Sequence, residues 1–95
     1  MLDNAIFPQI VEKIISEQEG IIGPIAIEQA GRVKGLKVNW PKHEITFMGK
    51  ESDIIEELIE QYRDFFGQVS VEVCRHAVRK LVSQLPPDQQ PMLLK

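Results

Sequence analysis

This chain has one cysteine, few aromatic residues, no long apolar run and no surplus of positive charge, and each shortage removes a class of function. Cys74 is the single thiol in 95 residues, so neither an intrachain disulfide nor a thiolate metal cluster can form, and a reducing, cytoplasmic setting fits best. No apolar stretch approaches the roughly 20 residues that span a bilayer. The opening Met1-Leu2-Asp3-Asn4 lacks the basic region and apolar run of a secretory leader, so neither membrane insertion nor export is expected. A formal charge of −3 argues against a dedicated nucleic-acid binder, whose phosphate contacts draw on excess Lys and Arg, although it leaves room for a local basic face. His43 and His76 are too far apart for metal-ligand spacing, and no Gly-rich phosphate loop or nucleophile elbow occurs. No catalytic residue, cofactor or metal is therefore expected, and the chain reads as a non-enzyme.

What is present is an internal repeat. Laying residues 10–33 over 54–77 without a gap pairs Ile10 with Ile54, Glu12 with Glu56, Ile15 with Ile59, Gly23 with Gly67 and Glu28 with Glu72, and keeps apolar character at further positions such as Ile14/Leu58, Ile22/Phe66, Ile27/Val71 and Ala30/Cys74. A repeat fixes architecture before local propensity does. At 43% hydrophobic and 26% charged residues, the composition supports a real core within one domain, 1–95. The fold class expected is mainly α: two pseudo-symmetric helix-Gly-helix hairpins, spanning 8–34 and 52–78, packed as a four-helix-bundle-like domain. Equivalent inter-helix places are expected for Gly23 and Gly67.

In chain order, Pro8 suits a first helical turn, and Ile10, Val11, Ile14 and Ile15 form one apolar stripe. Gly23-Pro24 stops that helix and starts another over roughly 24–34, with Ile22, Ala26, Gln29, Ala30 and Val33 on one face and Gly35 at its end. From Leu36 the period becomes two. Leu36, Val38 and Trp40, then His43, Ile45 and Phe47 after Pro41-Lys42, predict a β-hairpin-like linker at about 36–47 with a four- or five-residue loop. Ser52 is the expected N-cap of a third helix over 53–66, with the stripe Ile55, Leu58, Ile59, Tyr62 and Phe66. The fourth helix is expected to turn Val69, Val73, Ala77, Val78 and Leu81 inward and to stop before Pro86-Pro87, leaving a tail at 86–95 that either docks or frays. Phe66, Leu58, Ile14 and Ile22 should be buried together.

Few residues point to chemistry. Cys74 and His76 stand about 200° apart on a helix and cannot address one substrate. Cys74 matches Ala30, which makes it a small core-edge residue. Glu56, Glu57 and Glu60 lie on the solvated side of their helix, where such runs are solubilising. A helix-turn-helix reading would make Gly67 the turn glycine and place Arg75, His76, Arg79 and Lys80 on a recognition helix, but Arg63, Gln68 and His76 fall where small or apolar residues belong. Ile27 and Val71 each sit about 120° from their helix's core direction and are apolar in both copies. Either the 36–47 segment or the helix ends cover them, or they form a contact surface.

Ile21-Ile22-Gly23-Pro24-Ile25-Ala26, followed later by Leu81-Val82-Ser83-Gln84-Leu85-Pro86-Pro87-Asp88-Gln89-Gln90, resembles a small helical module at the C-terminal end of bacterial, notably cyanobacterial, signalling proteins. The resemblance implies a non-catalytic accessory or interaction domain, and it carries over no functional residue. The extended 36–47 stretch and the second Gly67 unit depart from that module. The expected function is therefore a protein-interaction or regulatory module, a homodimer whose interface uses Trp40, Phe47 and one or both of Ile27 and Val71, with an unidentified protein as a further partner. A nucleic-acid binder using the 68–82 helix is the alternative.

Overall fold

The computed structural model describes residues 6–95. Helix α1 runs Ile6–Ile22 and α2 Ile25–Gly31; strands β1, Leu36–Asn39, and β2, Glu44–Phe47, follow. Helices α3, Glu51–Phe66, and α4, Gln68–Val82, complete the bundle, and short 3-10 turns at Pro87–Gln89 and Met92–Leu94 close the chain. The mainly helical architecture with a two-stranded antiparallel linker is thus as its sequence pattern implies. No helix among the described residues is long and apolar enough to cross a membrane.

The repeat is visible in backbone and core alike. Gly23 and Gly67 both have positive φ, +78° and +95°, where a side chain would be strained. Each closes its helix by donating to the carbonyl four residues back, Gly23 to Glu19 at 2.9 Å and Gly67 to Arg63 at 2.7 Å. Each then starts the next helix by accepting from the residue three ahead, Ala26 or Ser70, at 3.0 Å in both cases. Matched residues are buried in pairs: Ile10/Ile54, Val11/Ile55, Ile14/Leu58, Ile15/Ile59, Gln18/Tyr62, Ala26/Ser70 and Ala30/Cys74. Gln18 donates through Nε2 to the Ser70 carbonyl at 3.3 Å, and Tyr62 donates through its hydroxyl to the Ala26 carbonyl at 2.6 Å. Since Gln18 matches Tyr62 and Ala26 matches Ser70, these are one bond made twice, each time from one unit into the other.

That crossing sets the layout. Gln18 meets the start of α4, while Lys13 shares a depression with Ala77 and Leu81 further along it, so α1 and α4 are antiparallel neighbours. Both glycine turns therefore lie at the same end of the bundle.

The hairpin packs on the helices, which supplies the support that an isolated ribbon lacks. Leu36 pairs with Phe47 and Val38 with Ile45, so the apolar residues share one face. Its loop is the four residues Trp40–His43, with His43 in the left-handed region at φ 54°. The loop is tied to α1: Trp40 Nε1 donates to Glu19 at 3.3 Å, His43 Nδ1 lies 2.7 Å from Glu12, and the two rings stack at 4.2 Å. Phe47 meets Phe7 edge-on. The tail docks too: Leu94 is buried, and the Leu93 amide donates to Glu56 at 3.0 Å.

Several local expectations are corrected. Helix α2 ends at Gly31 rather than near Gly35, because a mid-helix glycine removes about 1 kcal/mol of helix propensity. Ser52 is not the N-cap: α3 starts at Glu51 after Lys50, without a side-chain cap, and Ser52 is buried within its first turn. Phe66 is 42% exposed and Ile22 only half-buried, because the bundle ends at the glycine turns and nothing overhangs their last helical positions. Helix α4 is rotated by about one residue from the expected face. It buries Ser70, Val71, Cys74, Val78 and Val82, and of the inward set Val69, Val73, Ala77, Val78 and Leu81 it fully buries Val78 alone. The small side chains of Ser70 and Cys74 let α4 approach Gln18 of α1, with the Gln18 amide 3.3 Å from Cys74 Sγ.

Candidate functional site

Helix α4 is apolar on two faces. Val71, Cys74, Val78 and Val82 form the inner one. Val69, Val73, Ala77 and Leu81, at i, i+4, i+8 and i+12, form a second stripe, with Val69 57% exposed and the others half-buried. One amphipathic helix of a single core needs only one such stripe. Alongside the second lies α1, which contributes Ile21, 49% exposed, with Glu17 and Lys13. The resulting open groove has two depressions, of about 660 Å³ at its Ile21 end and about 480 Å³ at its Leu81 end. Phe65 and Phe66, at the glycine-turn end of α3, are exposed as well.

Charge along this groove is graded. Glu17 and Glu72 flank the Ile21 end, and Arg79, Lys80 and Lys13 flank the Leu81 end. Lys13 borders both depressions but is absent from the Glu72–Arg79 surface hollow, which also holds Arg75 and His76.

The expected site residues are scattered by this fold. Val71 is fully buried in the core and cannot be a contact surface, because the rotation of α4 that exposes Val69 turns Val71 inward. Ile27 is half-buried and packs against the core. Trp40 and Phe47 are half-buried and already engaged, with Glu19 and His43, and with Phe7, respectively. Of the basic set, Arg75 is paired with Glu72 at 2.9 Å, whereas His76, Arg79 and Lys80 are exposed beside the groove. Lys13, Glu17 and Ile21, which sequence reasoning missed, join them from α1. The available signal was that α4 carries more apolar residues than one face can use.

No family model, curated protein or solved structure matches this chain. Its reading therefore rests on the groove and on the side chains themselves.

The ionisable interior is unreactive. Burial pushes the Cys74 thiol up to about 11, opposed by the hydrogen bond from Gln18 and assisted by Glu17. A thiol so placed is protonated and inert near neutral pH. Burial, and then the neighbouring Cys74, also holds the Tyr62 phenol well above its usual range. Among the described residues, no group of three or more His, Cys, Asp or Glu side chains is placed to hold a metal ion.

Proposed function

We propose that this chain is a non-catalytic protein-interaction module of the regulatory or signalling kind. The observation that carries this reading is the second apolar stripe of α4, of which the monomer leaves Val69 exposed and Val73, Ala77 and Leu81 only half-covered, beside exposed Ile21. Contiguous apolar surface rimmed by charge is characteristic of protein contact. The Gly-Pro-Ile-Ala segment, with its resemblance to signalling accessory modules, supports the regulatory setting. The photo-cross-linking amino acid benzoylphenylalanine, placed at Val73 and, as a control, at Met48, which is exposed and lines neither depression of the groove, tests it in cells. Protein adducts, to a second copy or to another protein, are expected at position 73. Position 73 giving no more adduct than position 48 overturns the reading.

The clustering of Lys13 with Arg79 and Lys80 favours the nucleic-acid alternative. Glu17 and Glu72 in the same groove oppose it, since a phosphate backbone would meet both signs. Binding to mixed-sequence DNA that weakens steeply with salt in a gel shift would establish that alternative; salt-insensitive or absent binding removes it.

A further inference from the structure

We infer that the groove is covered by a second copy of this chain, α4 lying antiparallel on α4 of the partner subunit about a twofold axis that crosses the helices beside His76. The inference rests on the interaction reading above and names its occupant. The stripe from Val69 to Leu81 spans about 18 Å at the α-helical rise, and under a perpendicular twofold through its middle Val73 meets Ala77 and Val69 meets Leu81 of the other copy. An isologous interface needs a patch that is its own complement, and this apolar stripe is one.

Charge selects the direction of the axis. Two twofolds can lay the α1–α4 layer on its own copy. One runs along the helices, placing α1 antiparallel over the partner subunit's α4; it sets Glu17 against Glu72 of the partner subunit and Lys13 against Lys80 of the partner subunit, repelling at both ends. The other runs across them and reverses one copy end for end. Then Glu72 faces Lys80 of the partner subunit, Lys13 faces Glu17, and every pair occurs twice. Glu72, His76 and Lys80 stand at i, i+4 and i+8 on one flank of the stripe, so the same flank meets itself as antiparallel helices require. The acidic and basic ends of the groove are thereby complementary in one arrangement and opposed in the other.

Sedimentation equilibrium of the whole chain tests this. The wild type is expected at twice 10.9 kDa in the micromolar range. Glu72→Lys alone and Lys80→Glu alone should each weaken the dimer roughly tenfold or more, because each reversal introduces two like-charge contacts. The double variant Glu72→Lys with Lys80→Glu should restore it, since the exchanged charges meet again, and damage to the fold cannot produce that restoration. As a second measurement, His76→Cys should form a covalent dimer under mild oxidation, with wild type as the control because buried Cys74 stays silent. A wild type that remains monomeric at millimolar concentration, or a dimer that neither the double variant restores nor His76→Cys links, overturns the inference. A monomer whose position 73 still cross-links to a different protein overturns this inference while leaving the interaction module standing.

Discussion

Ser70 and Ala26 occupy equivalent places in the two units, and the difference between them is one hydroxyl without a partner. Ser70 Oγ and Gln18 Oε1 are both buried and make no hydrogen bond, and each such orphan costs desolvation without return. Ser70→Ala, which installs the residue that the first unit already uses, should therefore be neutral to stabilising by about 1 kcal/mol, helped by the higher helix propensity of alanine. Urea unfolding monitored by circular dichroism checks this, and a loss of stability would show that the hydroxyl is engaged. Cys74 gives a second expectation. Its folded pKa of about 11 lies above the ordinary 9.0, so the folded chain keeps a proton that the unfolded chain gives up. The contribution is fully present below pH 9 and declines as pH rises toward 11, by up to about 1.4 kcal/mol per unit. Cys74→Ala should lack that part of the alkaline decline when the two unfolding profiles are compared.

Among the elements, α3 was the most legible and α4 the least, for a physical reason. In α3 the apolar residues Ile55, Leu58, Ile59 and Tyr62 admit one inward face, and all are fully buried. In α4 two apolar stripes compete, and the choice between them is made by the fit of Ser70 and Cys74 against Gln18, a contact 52 or more residues away in sequence. The hairpin was legible because alternation changes sharply at Leu36, but its anchoring through Glu12 and Glu19 was not, since two carboxylates on a helix look like solvated charge. Phe66 shows the same limit: its spacing continues the α3 stripe, yet the bundle has no neighbour at that height. Phe66→Ala should accordingly cost less than about 1 kcal/mol, while Leu58→Ala, in the middle of the same helix, should cost about 2–5 kcal/mol. A pair of thermal melts separates these values readily. The groove, as the candidate site, was half present in the sequence: the residues Val69, Val73, Ala77 and Leu81 were recognised, but as core, and the α1 wall that makes them a groove arises only from tertiary packing.

For the whole molecule, the two bonds that cross between units have the greatest reach. Tyr62 and Gln18 donate only into the opposite unit, and the core likewise mixes the two stripes without a boundary. Splitting the chain in its exposed loop, as pieces 1–42 and 43–95, should therefore give two peptides that are largely unstructured alone and regain the helical spectrum when mixed. A cooperative melt from either piece by itself would contradict this. The repeat is thus not two small domains side by side. Each half holds the acceptor for the other's buried donor, so the smallest stable object is the pair, and selection on either copy acts through its counterpart. The two units differ on the surface, in helix length and even in the donor chosen, glutamine in one and tyrosine in the other, but they must stay matched wherever they touch.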